Sequence, residues 1–271
     1  MIIWKLFRAT KPQVLLYSPE GIHPYKYTTM DKQQSINAYF KMPFQFDGDK
    51  LQADLATCEA YEFQGNYIPE NYDGDKYILP LRSVEGKMDH VVATQGASNQ
   101  FKNTVALEQS PYFQEVIDQF QCEKESVRLM SLPGGAVINK HIDRQSGYED
   151  GFFRIHVPVK TNDQTHFILE DNPIHMGVGE AWYTNINLSH GVENKGTSAR
   201  VHLVIDCIRN EWSDELFASL GYDFEEEARL KQPVYTKEML VQMIENLSLI
   251  GNEASEALIA DFKQQLASME D

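Results

Sequence analysis

Residues 152–170, FFRIHVPVKTNDQTHFILE, decide the fold class. Two runs rich in β-branched and aromatic residues flank the turn-forming triplet Thr161-Asn162-Asp163, and neither run carries the apolar spacing of a helix. The same grammar extends in both directions. Upstream lies SVRLMSL (126–132), closed by Pro133-Gly134-Gly135, and downstream lies RVHLVIDC (200–207), opened by Gly196-Thr197-Ser198. Short strands at roughly ten-residue spacing predict a mainly β jelly roll or barrel, not a parallel α/β sheet.

Helical signals lie on both flanks. LQADLATCEAY (51–61) places Leu51, Leu55 and Cys58 on one helical face. Residues 110–121 read as a second helix, with Ser110 as N-cap, Pro111 at the first helical position, and Phe113, Val116, Ile117 and Phe120 at helical spacing. YILPLRS (77–83) is a strand between turns, and the Tyr- and Asp-rich stretch from Tyr61 to Asp75 has the composition of a lid. Residues 1 to about 50 read as irregular, punctuated by Pro12, Pro19, Pro24 and Pro43, apart from a first strand expected in MIIWKLFRATK (1–11). After Trp212 the chain turns helical. Met239, Leu240, Met243, Ile244 and Leu247 form one apolar stripe, and Leu258, Ile259, Phe262 and Leu266 form another beyond Gly251-Asn252. This predicts a C-terminal helical hairpin that packs on the barrel or on a second subunit, as in a homodimer. The expected division is one domain over residues 1–211 and a helical extension over 212–271.

The chain has 271 residues and a net charge of −16, from 24 basic and 40 acidic residues. So acidic a surface repels phosphate backbones and anionic membranes, which argues against nucleic-acid and lipid partners and favours a cationic or zwitterionic ligand. Cys58, Cys122 and Cys207 are widely separated and in no CxxC pair, which fits a reducing cytoplasm. No apolar run is long enough to span a membrane as a helix.

Chemistry concentrates at His141-Ile142-Asp143. In an extended segment, residues two apart project to the same side, so one strand end can present both an imidazole and a carboxylate to one ion. None of the other seven histidines has an acidic residue two positions on. His190 lies in WYTNINLSHGVENKG before a turn, where a strand end near a barrel mouth would place it. Two imidazoles and one carboxylate are the ligand set of a non-haem Fe(II) facial triad with open positions. Ten residues on, Arg200 starts an apolar strand, and a buried arginine there calls for an anion such as the far carboxylate of a bound 2-oxo acid. Arg154 and His156 repeat the paired pattern in FFRIHVPV, and His202 lies two residues after Arg200. Three polar pairs on three strands imply a common polar cavity, into which Arg128 also points. Trp182 and Tyr183 read as core or cavity wall. His166 and His175, flanking a strand and its turn, read as loop or surface residues.

The segments VRLMSLPGG, HID, FRIHVPVKTN and MGVGEAWYTNINLSHGVENKGTSARVHLVID together resemble the aspartyl/asparaginyl β-hydroxylase family. The resemblance is densest over about residues 126–207 and does not cover the last sixty residues. It implies a double-stranded β-helix (jelly roll, cupin-like) core that uses Fe(II), 2-oxoglutarate and O2 to hydroxylate an amino acid or an amino-acid residue in a peptide. It further implies His141, Asp143 and His190 as iron ligands, Arg200 on the distal carboxylate of 2-oxoglutarate, and Arg154 and His156 at the metal-binding end of that cosubstrate. Asp143 makes the chain more similar to the bacterial proline-hydroxylase-like branch than to members that bind iron with two histidines. Arg82 is an additional candidate for a substrate carboxylate. The alternative reading is a cupin-like protein that binds a metal or small molecule without oxygenase turnover; Arg200 speaks against it, because a plain cupin has no use for that residue.

Overall fold

The computed structural model describes residues 14–18, 21–25, 36–65, 72–73, 77–92, 100–231 and 235–269. The strand expected in residues 1–11 lies outside them, as do residues 66–71 and 74–75 of the expected lid. Strands β1 (Val14–Ser18) and β2 (Gly21–Tyr25) pair with each other. The chain continues through β3 (Tyr39–Gln45), α1 (Gly48–Cys58), β4 (Tyr72–Asp73), β5 (Tyr77–Val84), β6 (Phe101–Asn103), α2 (Val105–Glu108) and α3 (Pro111–Asp118). Eight strands follow: β7 (Lys124–Leu132), β8 (Val137–His141), β9 (Phe152–Lys160), β10 (Thr165–Leu169), β11 (Asn172–Ile174), β12 (Glu180–Thr184), β13 (His190–Asn194) and β14 (Arg200–Ile208). Four helices come last: α4 (Glu211–Ser219), α5 (Phe224–Lys231), α6 (Lys237–Ser248) and α7 (Glu253–Ser268).

One sheet has seven strands in the order β3-β12-β9-β14-β7-β5-β6, and another has five in the order β11-β10-β13-β8-β4. Their pairings are antiparallel. Strands β7, β9, β12 and β14 belong to the larger sheet, while β8, β10, β11 and β13 belong to the smaller. Eight successive strands shared four and four between two antiparallel sheets, with β10 and β11 paired inside the smaller one, make a double-stranded β-helix.

Period two sorts the larger sheet into two unlike faces. Val127, Leu129, Ile155, Val157, Leu203 and Ile205 pack against Leu51 and Leu55 of α1, Phe113 and Val116 of α3, and Phe217 of α4. The opposite face looks toward the smaller sheet, where Leu132, Ile138, Phe167, Leu169, Ile174 and Val192 form a second cluster with Trp182. Rings of His156 on β9 and Phe167 on β10 meet across the space between the sheets, with centroids 5.4 Å apart. The central strands β7, β9 and β14 are therefore buried on both sides, and their inner side carries Arg128, Arg154, Arg200 and Asp206.

Local differences from the sequence reading have physical causes. The first fifty residues are not uniformly irregular, since β1, β2 and β3 lie within them. Pro43 misled as punctuation. It sits in β3, an edge strand, where a missing N–H breaks no inner ladder, while Phe40, Met42 and Phe44 pack on the helix-side core. Helix α1 starts upstream of Leu51 because the Asp47 carboxylate accepts from Asp49 N and Lys50 N at 3.0 and 3.2 Å. Ser110 stands at the N-cap position of α3, but its hydroxyl donates to Ala106 O at 2.8 Å. The cap comes from α1 instead, where the buried Asp54 carboxylate accepts from Phe113 N at 2.8 Å. Burial pushes the Asp54 carboxyl pKa up, and the backbone donors at Phe113 and Tyr112 oppose that.

At the C-terminal end, α4 joins the main core, with Phe217 stacked on Tyr148 at 3.7 Å between centroids. Helices α6 and α7 pack on each other through the two apolar stripes, burying Leu240 and Phe262. Among the described residues, no helix is long and apolar enough to cross a membrane.

Candidate metal centre and cosubstrate cavity

His141 closes β8 and His190 opens β13, and the two stand directly opposite in the register. The pairing shifts just after His190, at Gly191. A Cβ there would sit 2.6 Å from Ile138 O, so only glycine lets β13 approach β8 this closely. The imidazole centroids are 4.3 Å apart. Asp143 follows two residues after the strand and is tied down by its own N–H, which donates to Ile186 O at 3.0 Å. His141 Nε2 and Asp143 Oδ1 are 3.8 Å apart. One donor atom from each of His141, Asp143 and His190 lies within 4.8 Å of the others, the only such His/Cys/Asp/Glu group among the described residues.

Backbone carbonyls orient both rings. His141 Nδ1 lies 2.8 Å from Asn139 O, and His190 Nδ1 lies 3.0 Å from Leu188 O. A carbonyl only accepts, so each Nδ1 carries the proton and each Nε2 keeps its lone pair for a metal. His190 also stacks on Phe167, 5.7 Å between centroids and 6° from parallel. Burial, reinforced by His141, holds the His190 pKa down at about 4, so the ring is neutral at physiological pH. Donor set, tautomers and charge all suit a divalent ion of the Fe(II) type.

Arg154 reaches the centre from β9. Its Nη1 donates to Asp143 Oδ2 at 3.3 Å, while Nε and Nη2 donate to Asp206 at 2.6 and 3.2 Å. Arg128 Nη2 donates to the same Asp206 carboxylate at 2.7 Å. Asp206 is fully buried; burial works against its ionisation, but Arg154 and Arg128 outweigh it and hold the pKa below the usual carboxylate range. The sequence reading missed Asp206. Its parity on β14, shared with Arg200 and His202, hints at the inner face, but only the strand register sets it opposite Arg154.

Farther along the inner face, Arg200 is 2% exposed and forms no ion pair with a carboxylate among the described residues. Its Nη2 donates to His202 Nδ1 at 2.6 Å, and its Nε has no partner. Burial lowers its pKa to about 9, still a cation at pH 7. Thr161, Phe167, Ile174 and Met176 close around Arg200 and His202. His156 is buried, and neither ring nitrogen has a partner. Burial, then Arg200 and Arg154, push its pKa far down, leaving a neutral imidazole among cations. A buried cation without an anion and a buried imidazole with no hydrogen-bond partner among the described residues are costly unless a ligand meets them. A dianion with one carboxylate at Arg200 and the other near His156 would do so.

The remaining candidates separate. Arg82 is not brought to this cavity by its bonds: it donates to Lys124 O at 3.2 Å and Asn103 Oδ1 at 3.1 Å. A register shift between Pro80 and Arg82 sets Arg82 opposite Val127, while Pro80 stands opposite Arg128. Trp182 faces inward opposite His156, whereas Tyr183 is in the helix-side core. The rings of His166 and His175 are 6.0 Å apart, and His175 Nδ1 lies 3.2 Å from Thr165 O.

Residues 88–210 match the model of the aspartyl/asparaginyl beta-hydroxylase family. The chain is 25% identical over 207 residues to the L-proline cis-4-hydroxylase of Rhizobium meliloti (strain 1021), covering 76% of this chain and 69% of that protein. Among solved structures, a Pseudomonas putida prolyl-4-hydroxylase aligns at 14% identity and TM-score 0.44, over 65% of this chain and 95% of its own. An oxidoreductase of the 2OG-Fe(II) oxygenase family from Burkholderia pseudomallei aligns at 15% identity and TM-score 0.44, over 61% and 81%. The stretch matched by the family model contains all eight strands of the double-stranded β-helix, the three candidate metal ligands and both candidate cosubstrate arginines, so that over residues 88–210 this chain is similar to the aspartyl/asparaginyl β-hydroxylase family.

Proposed function

We propose that this chain is an Fe(II)- and 2-oxoglutarate-dependent dioxygenase that hydroxylates an amino acid, or an amino-acid residue in a peptide. The observation that carries this reading is the pairing of the His141, Asp143, His190 group with a buried Arg200 that has no carboxylate partner among the described residues. A metal-binding barrel without cosubstrate chemistry explains the first feature but not the second.

Bound together, Fe(II), 2-oxoglutarate and O2 supply the oxidising power to replace a C–H hydrogen by hydroxyl, releasing succinate and CO2. The protein's own share is positional. His141, Asp143 and His190 hold the ion on one side and leave the other side open. Arg200 takes the distal carboxylate of the cosubstrate, and His156 and Arg154 take the end that faces the metal. Arg154 also holds Asp143 Oδ2, leaving Oδ1 turned toward His141 Nε2. Phe167, Ile174 and Met176 keep water from the charged end of the cavity. Free L-proline, the substrate named for the Rhizobium meliloti relative, is the first candidate to try.

Anaerobic titration of the protein with Fe(II) and 2-oxoglutarate should give the weak visible metal-to-ligand charge-transfer band of a chelated 2-oxo acid. A wild-type protein with no such band would sink the cosubstrate assignment. Where the band appears, a panel of amino acids tested for substrate-stimulated succinate formation identifies the substrate.

Two further readings belong here. The three cysteines Cys58, Cys122 and Cys207 are buried thiols, which supports residence in a reducing compartment, the cytoplasm. The α6–α7 pair leaves Val241, Leu249, Ile250 and Leu258 exposed, and this supports homodimerisation through the C-terminal helices. Sedimentation velocity should return a dimer that Leu249→Asp with Ile250→Asp dissociates; a wild-type monomer at micromolar concentration would refute it.

A further inference from the structure

A buried hydroxyl on the inner face has no role once the cavity has been assigned. Thr184 is 0% exposed, and its Oγ1 has no hydrogen-bond partner among the described residues. It closes β12 in the middle of a sheet. Trp182 stands opposite His156 and Tyr183 opposite Ile155, so the same antiparallel register brings Thr184 opposite Arg154. Tyr183 lies in the helix-side core, and alternation therefore turns Thr184 to the cavity side, the side of His156 and Arg154.

Strand propensity does not account for this residue. Valine has the same shape and at least the same preference for a strand, and it buries no hydroxyl. A buried hydroxyl without a partner lowers stability. Other orphaned polar atoms on this face include the two nitrogens of His156 and Nε of Arg200, which belong to groups that a cosubstrate would engage.

We propose that Thr184 is a further ligand-contact residue. Its hydroxyl donates to a carboxylate oxygen at the metal-facing end of the bound 2-oxo acid, beside Arg154 and His156. This deepens the reading under Proposed function and rests on it. The contact is a neutral donor to an anionic acceptor, stronger than a bond between neutral groups.

The test uses Thr184→Val and Thr184→Ser in the full chain. Unliganded thermal unfolding comes first, then calorimetric titration of the Mn(II)-loaded protein with 2-oxoglutarate. Thr184→Val should raise the melting temperature of the unliganded protein by about 2–4 °C and weaken 2-oxoglutarate binding about tenfold or more. Thr184→Ser should bind within about threefold of wild type, since it keeps the donor. Mn(II) affinity should be alike in all three. A purely structural threonine would move both readouts the other way: valine would lower the melting temperature and leave 2-oxoglutarate affinity alone. Either of those results, or a serine variant as weak as valine, overturns the assignment of Thr184. A wild-type Mn(II) protein that binds no 2-oxoglutarate overturns the functional reading itself, and this inference with it.

Discussion

His190→Ala is expected to abolish the charge-transfer band formed with Fe(II) and 2-oxoglutarate and to remove hydroxylation, while the protein stays folded. The ring is one of two imidazoles in the candidate metal group, and a carboxylate with one imidazole holds a divalent ion far more weakly than the full set. The fold survives because the position contributes little else. Its Nδ1–H donates to Leu188 O, a carbonyl beside the mouth that water can satisfy, and its ring stacks on Phe167. Losing that packing costs about 1–3 kcal/mol, a fraction of the stability of a domain this size. Arg200→Ala provides the contrast. It should leave metal affinity near wild type and weaken 2-oxoglutarate about a hundredfold, the loss of a bidentate charged contact. Metal affinity and 2-oxoglutarate affinity, measured separately for both variants, check the division of labour. A His190→Ala protein that still forms the band would remove His190 from the ligand set.

Strand grammar made the barrel legible in the sequence. Runs such as FFRIHVPV and RVHLVIDC carry enough β-branched and aromatic residues to declare themselves, and both appear as strands with nearly the expected ends. Strands β11, β12 and β13 were harder to read, because NPI, EAWYT and HGVEN are short and take their burial from neighbours rather than from their own composition. The His141/Asp143, Arg154/His156 and Arg200/His202 pairs were visible because an imidazole or guanidinium inside an apolar run is conspicuous. Asp206 and Thr184 were not. One sits beside a cysteine at the end of a strand and the other reads as an ordinary β-former. Only the register, which sets Asp206 opposite Arg154 and places Thr184 on the side of Trp182, gives either of them a role. The capping of α3 by Asp54 is a contact 59 residues apart in sequence, and no local pattern announces it.

Asp206 carries the second large expected effect. Asp206→Asn keeps shape and volume but turns an amide N–H toward two guanidinium groups that had a carboxylate between them. Arg128 is 4% exposed and Arg154 is mostly buried, so neither cation can recover its hydration. Removing one partner from a buried ionic group of this kind costs about 3–5 kcal/mol, which for a chain of this length lowers the melting temperature by roughly 10 °C. Arg128→Met should cost much less, because Asp206 keeps its two bonds to Arg154 and no buried cation is left without its anion. The pH dependence follows from the direction of the Asp206 shift. Arg154 and Arg128 set its folded pKa below the unfolded value of about 3.9. The carboxylate therefore stabilises the fold in full above that value, and the contribution fades as pH falls through the folded pKa. Wild type and Asp206→Asn should differ most near neutrality and converge in acid, where a protonated Asp206 resembles the amide. Thermal unfolding at pH 7 and near pH 3 reads this directly. A variant that melts with wild type at pH 7, or a gap that stays unchanged in acid, would show that the two arginines do not depend on Asp206. If the gap behaves as expected, then Arg154, and through it the Asp143 carboxylate at the candidate metal centre, is held in place by an anion on the neighbouring strand β14.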